Sequence, residues 1–445
     1  MCRNGEVPLP KIFFKTYTKN LTNPIFLAFK GQSILWVAPV CAAVVAPFGM
    51  FEDPTINVLT MYTENYMTAM SGFIKSWFPA FMLGAIFGKV MELTGAAKSV
   101  GLWLTQLIGA KQAILAVVVA CGVLTYGGIS LFVVVFAIYP LAVALYREAD
   151  IPNKLIPGAI SLGAFTFTMT AIPGTPQIQN IIPTNYYGTT AMAAPVMGIV
   201  AALVMFLLGM IWMKMREKKL KAEGLHFVEP SNLAVSEDKE LPNPIVSLIP
   251  LISVPITMNI LKFPLVGALL CGVVLAMVLN FKHAKEFPKA LTDGASGGLM
   301  SIGNTGAANG FGGVVKAVPG FATLTAMLLN VPGTPLISEA IAVSCLAGAT
   351  GSASGGMGIA LEALGPKYME LAASDPNLTP EALHRIASVA SGGLDTLPHN
   401  GAVITLLSVC GLTHKDSYID IGMNCCVFPT VAVIVCIIMA MIGIL

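Results

Sequence analysis

Charge is what this sequence lacks. Of its 445 residues only 11% are Asp, Glu, Lys or Arg, where a soluble domain carries about 25%. Mean hydropathy is +0.78. The scarcity is patterned: no charged residue occurs from Leu155 to Met213, from Gln112 to Tyr146 or from Ile421 to Leu445. About 20 apolar residues cross the roughly 30 Å of bilayer hydrocarbon, so several runs are long enough to span and a soluble reading is excluded.

Other absences narrow the function. Nine cysteines contain no CxxC spacing, which removes the usual zinc and disulfide signatures; single cysteines and the Cys425-Cys426 pair read as apolar packing residues. No HExxH, no GxSxG and no paired aspartates on apolar helices occur, so neither an enzyme nor a metal or cofactor is expected. Basic residues cluster in one short stretch, which gives no footing for nucleic acid. Met1 to Asn23 is polar and basic, without the apolar core and cleavage site of a signal peptide. The formal net charge of +2 says less than where the charges sit.

What is there divides into two. Residues 214–243 form the one long polar interruption, with Lys214, Arg216, Lys218, Lys219 and Lys221 near its start. The positive-inside rule makes it a cytoplasmic linker between a first membrane repeat, 34–213, and a second, 244–445. Residues 1–33 form a polar N-terminus with an incomplete first span, in which Lys15, Lys19 and Lys30 interrupt the apolar residues. The halves match at a near-constant offset. FGKVMELTG begins at Phe87 and FGGVVKAVPG at Phe311; Pro140 of YP matches Pro366 of GP; Pro173 of AIPGT matches Pro398 of TLPHN. Internal repetition of this kind is a common way to build secondary transporters.

Loop charge sets the relative orientation. Lys282, Lys285 and Lys289 mark a cytoplasmic loop, two spans (about 244–260 and 263–281) beyond the basic linker. The corresponding stretch near 51–70 carries Glu52, Asp53 and Glu64 without Lys or Arg, and is expected outside. One loop on opposite sides in the two halves predicts inverted topology. The expected fold is therefore an all-α polytopic membrane protein of two inverted-topology repeats, with re-entrant hairpins and broken helices.

The breaks are written as Gly/Pro/Ser/Thr clusters inside apolar runs: Thr125 to Gly128 and Ile172 to Pro176 in the first half, Gly348 to Gly356 and Leu397 to Gly401 in the second. Non-helical backbone at membrane depth is tolerated only inside protein or along a watery cavity, and matched interruptions point to a transport site. Thr379-Pro380-Glu381 reads as a helix start. That helix should weaken at Gly392-Gly393 and stop near Pro398. A half-helix should then run from about Asn400 to Cys410, its positive end facing the break and suited to a carboxylate. Thr350 to Gly356 reads as the tip of a re-entrant hairpin. A further cluster, Gly303-Asn304-Thr305-Gly306 with Asn309-Gly310, either holds helices together or lines the site. Small residues at any one cluster could equally serve tight helix packing.

Asp395 and His399 are the conspicuous ionisable residues, far from the charges at Arg385 and Lys415. A carboxylate in a span costs about 2.5–3.5 kcal/mol and is a functional candidate by default; histidine titrates near physiological pH. Either is a candidate carrier of a coupling proton, the alternative being that Asp395 only caps free N–H groups. Glu339 and Glu362, between apolar runs, read as loop or hairpin-end residues.

The segments SGGLDTLPHNGAVITLL, ATGSASGG and AIPGTPQIQNIIPTNYYG together resemble the gluconate permease (gluconate:proton symporter) family of the ion-transporter superfamily, over roughly Ile34 to Leu445. The resemblance implies a bacterial inner-membrane, multi-pass symporter for gluconate, related sugar acids or 3-hydroxybutyrate. It also implies a homodimeric scaffold and an elevator-like movement. Carried onto this chain, it places Ser352 and Ser354 at the hairpin tip and Asp395, His399 and Asn400 at the second break. Thr175 and Gln177 take the matching position in the first. Asn304 joins these as a candidate substrate-binding residue. Sodium in place of the proton, with asparagine and backbone carbonyl ligands, is the alternative coupling.

Overall fold

A computed structural model describes residues 34–50, 57–230, 240–318, 320, 327, 333–375, 378–398 and 400–445. The expectation of an incomplete first span in residues 1–33 lies outside the described residues. Among those described there is no strand, and the chain is almost entirely helical.

The first half contains α1 (Ile34–Met50), α2 (Val58–Leu93), α3 (Ala96–Ile108), α4 (Ala113–Tyr126), α5 (Leu131–Glu148), α6 (Ile156–Ala164), α7 (Ile178–Tyr187) and α8 (Pro195–Ala222). The second contains α9 (Pro244–Asn259), α10 (Leu265–Leu279), α11 (Phe287–Ala317), α12 (Pro335–Thr350), α13 (Ala353–Ser374), α14 (Pro380–Ser391), α15 (Gly401–Cys410) and α16 (His414–Met441). Among the described residues α2, α5, α8 and α16 are long and apolar enough to cross a membrane singly; α3 and α4, meeting at 95°, add a bent fifth.

The two halves share an element order. Hairpin α4–α5 corresponds to α12–α13, and Pro140 and Pro366 sit inside the second arm of each. The ten-residue α7 corresponds to the ten-residue α15, which starts 401 − 178 = 223 residues later. The packing is reciprocal: α7 lies against α13 and α14, while α15 lies against α5 and α6. Each of these short helices is thus seated in the other half of the chain.

Apolar helices here carry two apolar faces. On α8, Val196, Ile199, Leu203, Leu207, Ile211 and Met215 are exposed at helical spacing, while Met197, Ala201 and Met205 are buried. A helix hydrophobic all round belongs in lipid. Beyond Met213, where a linker was expected, α8 continues to Ala222. Arg216 explains this: its Nε donates to Asp420 Oδ1 at 2.8 Å, and Trp212 Nε1 donates to the same oxygen at 2.9 Å. The basic stretch is pinned to α16 through a buried aspartate.

One further expectation is corrected: Glu64 lies within α2, not in a loop. The Gly303–Gly310 cluster, read as either helix packing or site lining, lies inside the unbroken 31-residue α11. Its glycines belong to a small-residue face that runs along α2: a Cβ added at Gly298 would come within 2.7 Å of the Met82 Cα, and one at Gly310 within 2.8 Å of the Tyr66 ring. Small residues that bring backbones together are the membrane solution to helix packing.

Candidate functional site

The two hairpin tips and the two helix breaks form the candidate site, and they are built alike. The second tip is narrower than expected. Only Gly351 and Ser352 lie outside helix, with Gly351 at φ 59°, a left-handed conformation suited to glycine. Ser352 caps α13 by accepting from Gly355 N at 3.1 Å. Ser354 is buried in the first turn of α13 rather than in the loop. A Cβ on Gly356 would fall 2.1 Å from the Ala347 nitrogen, so the two arms touch backbone to backbone.

The second break follows α14, which starts as expected with Thr379 as cap and Pro380 in its first turn. The helix ends at Ser391, earlier than Pro398, because Gly392 and Gly393 stop it at once. Residues 392–398 and 400 are non-helical before α15 begins. Asn400 closes the break. Its Oδ1 accepts from Ala402 N at 2.6 Å and Val403 N at 3.0 Å. Its Nδ2 donates to the Asp395 carbonyl at 2.8 Å and to the Gly351 carbonyl at 3.0 Å. All four hydrogen-bonding positions of the amide are therefore filled by protein. Asn400 caps the half-helix and ties the break to the hairpin tip.

Gln177 stands in the equivalent place before α7. Its Nε2 donates to the Thr125 carbonyl at 2.6 Å and the Ile129 carbonyl at 3.3 Å, both at the first hairpin tip. Thr175 is fully buried, and its carbonyl accepts from Asn180 Nδ2 at 3.0 Å. Tyr126 OH donates to the Pro173 carbonyl at 3.2 Å, and Asn259 Nδ2 to that of Gly174 at 2.8 Å. Side-chain amides and a phenol from neighbouring elements satisfy the freed backbone, as membrane depth requires.

Sequence reading missed the strongest of these supports. Arg385, 0% exposed on α14, reaches into the first break. Its guanidinium donates to Ala193 O at 2.7 Å, Ala171 O at 3.1 Å and Asn180 Oδ1 at 2.9 Å. No carboxylate among the described residues pairs with it. His384 beside it meets Asn180 Oδ1 through Nε2 at 3.4 Å and Thr189 Oγ1 through Nδ1 at 2.6 Å. Since Asn180 Nδ2 already donates to two carbonyls, Nε2 carries the hydrogen and Nδ1 accepts from Thr189. Ser388 Oγ donates to Thr170 O at 2.7 Å, so α14 is laced to the first break along two turns.

Asp395 is 4% exposed, and its Oδ1 has no hydrogen-bond partner. Its neighbour Thr396 contacts Cys426 Sγ at 3.3 Å and accepts from Tyr418 OH at 3.2 Å through its carbonyl. The structure therefore gathers Asp395, Asn400 and Ser352 around the second tip, and Thr175 and Gln177 around the first. The two groups approach one another where Gly392 faces Thr170. Asn304 stands apart on α11, one turn before Ala308, which faces Gly355; its Oδ1 is buried and unpartnered. His399 lies outside the described residues. Among the described residues no cluster of three or more His, Cys, Asp or Glu side chains is arranged to hold a metal ion.

Glu339, read as a loop or hairpin-end residue, is 0% exposed and sits one turn inside α12, at the hairpin's end rather than in a loop. Glu362 is likewise helical, on α13, where Tyr186 OH donates to it at 3.2 Å.

Comparison with known proteins agrees with this architecture. The model of the GntP family permease matches residues 36–442. The uncharacterized transporter YxjC of Bacillus subtilis (strain 168) is 42% identical over 440 residues, covering 89% of this chain and 92% of that protein. The crystal structure of the Alcanivorax borkumensis YdaH transporter, described as having an unusual topology, superposes with a TM-score of 0.50 at 16% identity, over 84% of this chain and 87% of that one. The last likeness is one of fold alone.

Proposed function

Because this chain belongs to the GntP family of permeases, and so is a multi-pass membrane transporter, we propose that it carries a small organic acid anion inward on a proton gradient. The substrate class is gluconate, a related sugar acid or 3-hydroxybutyrate. The observation that carries the anionic reading is the charge at the breaks. Two half-helices begin there, each with a positive dipole end, and Arg385 adds a buried guanidinium held by carbonyls and an amide rather than by a carboxylate. An anion arriving between the hairpin tips meets positive potential, and no carboxylate among the described residues is paired to Arg385.

Asp395 supports the proton reading, being a buried carboxyl with one oxygen free, next to the cap of α15. The repeats at 34–213 and 244–445 run in opposite directions through the membrane in this reading, and the N-terminal basic end of their connection is cytoplasmic. Ser352, Ser354, Thr175 and the free Oε1 of Gln177 face substrate, and His399 is a second proton candidate. Asn400 and Gln177 work mainly by holding the half-helices to the tips. Helices α1, α2 and α11, packed through small residues, form the stationary, homodimeric part against which the hairpins and half-helices rise and fall as an elevator.

Uptake into proteoliposomes across a panel of hydroxy acids, with a proton or a sodium gradient imposed in turn, tests this. Concentrative uptake of a hydroxy-monocarboxylate with protons alone is expected. Accumulation that follows sodium and ignores protons would make the coupling ion sodium. In Asp395→Asn, accumulation should vanish while exchange of labelled for unlabelled substrate persists; an unaltered pH profile would remove Asp395 from coupling.

A further inference from the structure

One buried acid takes no part in that site. Glu339 lies one turn into α12, at the root of the second hairpin and away from its tip. Tyr187, the last residue of the half-helix α7, donates its hydroxyl hydrogen to Glu339 Oε1, while Oε2 is buried and without a partner. The contact spans the two repeats, 152 residues apart in sequence.

The surroundings of Glu339 supply no counter-charge. From α7 it meets Tyr187, with Tyr186 alongside. From α13 come Tyr368, whose hydroxyl is 2.8 Å from Ser338 Oγ, and Glu362, which is paired to Lys316 at 3.6 Å. The neighbouring α14 carries His384 and Arg385, both turned into the first break. α16, which also packs against α12, carries Cys436, and that thiol contacts the Met197 carbonyl. Among the described residues no Lys, Arg or His lies within ion-pairing distance of Glu339. A buried carboxylate with a single hydrogen bond and no cation is far costlier than a neutral acid in the same place. Tyr186 and Tyr187 also divide the hairpin between them: Tyr186 bonds Glu362 on one arm and Tyr187 bonds Glu339 on the other. The end of the half-helix is therefore fastened to both arms by carboxyl–phenol contacts.

We propose that Glu339 is a proton-binding site at the seam between the first repeat's half-helix and the second repeat's hairpin, occupied while Tyr187 is seated and emptied when α7 and α12 part. The step is a simple proton transfer: the O–H bond of the acid breaks, the proton passes to water admitted into the opened seam, and a carboxylate remains. Resealing the seam requires the proton back. This rests on the proton-coupled reading above and adds a second acid to it, at the root of the hairpin whose tip adjoins Asp395.

Two measurements on the purified full-length protein test the site. Infrared spectra at neutral pH should show a carboxylic acid C=O band that is lost in Glu339→Gln and shifted to higher frequency in Tyr187→Phe, with Asp395→Asn as the control that removes the other buried acid. A spectrum of Glu339→Gln that retains every acid band of the wild type would overturn the proposal. In proteoliposomes, Glu339→Gln should lose accumulation driven by a proton gradient while keeping substrate exchange. Full accumulation would overturn the proton exchange at Glu339 even if the acid band were gone. Should the wild type itself accumulate on sodium alone, the proton-coupled reading fails; an acid band still lost in Glu339→Gln would then mark a fixed structural proton, and the exchange would again be overturned. Tyr187→Phe keeps the acid and removes only the phenol. It thus provides a folded comparison if Glu339→Gln is poorly produced, and faster loss of the proton from Glu339 in it is the expected sign.

Discussion

Asn400 Nδ2 lies 3.0 Å from the carbonyl oxygen of Gly351, 49 residues earlier in the chain. That one contact joins a half-helix cap to a hairpin tip, and Gln177 repeats it in the first half by donating to Thr125 O at 2.6 Å. The pair defines how a break can exist in lipid: each interruption of a helix is matched by an amide that takes up the freed carbonyls nearby.

Asn400→Ala should therefore harm more than a surface cap would. An N-cap is worth about 1 kcal/mol, and the buried carbonyls of Gly351 and Asp395 lose their donor at about 1–3 kcal/mol each at most. A clear fall in the thermal midpoint of the detergent-solubilised protein is expected. Asn400→Asp keeps the cap and loses both donors, so its midpoint should fall between the two.

Arg385→Lys preserves charge and removes the planar fork. An ammonium offers three donors from one point and does not reach the carbonyls of Ala171 and Ala193 together. The expected result is a loss on the order of 2 kcal/mol of stability, from buried acceptors left unpaired. A raised KM for the anion should accompany it. Thermal unfolding and uptake kinetics check both, and an unchanged KM would show that the guanidinium only braces the break.

Two glycines of similar sequence setting should respond oppositely to alanine. At Gly356 the added methyl would meet Ala347 backbone at 2.1 Å, and backbone cannot yield as a side chain does. Overpacking of about 1–3 kcal/mol or more is expected. At Gly401, the first residue of α15, nothing lies within 4 Å, and Ala should be neutral or gain up to about 1 kcal/mol from helix propensity. Paired unfolding measurements decide this.

Outside the membrane, Asp150 fastens the segment after α8. Its carboxylate accepts from His226 at 2.7 Å and from Phe227 N at 3.1 Å. Those hydrogen bonds, the His226 one foremost, hold it below the usual carboxylate range. A depressed folded value means the anchoring is present above the ordinary aspartate range and is lost as pH falls through the lower folded value. Asp150→Asn should speed protease cleavage after Ala222 at neutral pH while leaving global unfolding unchanged. Acidification should speed it in the wild type, with the variant responding less.

The breaks were legible because glycine and proline interrupt helices by local chemistry. The bounds of α15 and the cap at Thr379 could be read from a few adjacent residues. Arg385 was not legible in that way, since its carbonyl cage is made by residues 170–193, two hundred positions earlier, and its own helix looks amphipathic. Glu339 was read as a loop or hairpin-end residue, and its burial was not legible for the same reason: its partner Tyr187 lies 152 residues earlier. The Asn304 cluster was read as either helix packing or site lining, and the close contacts of the α11 glycines with α2 fit the first.

The exchange of half-helices between repeats has a consequence for how the chain is made. Residues up to Ala222 leave the ribosome before any part of α12 to α14 exists, so α7 is synthesised without the hairpin that seats it and without the arginine that holds its break. The first half must wait in the bilayer, with polar backbone unsatisfied or shielded by the insertion machinery, until the second half arrives. Biogenesis of this protein is then a docking event between two halves. Fragments divided within 231–239 and produced together should assemble, whereas either alone should be degraded.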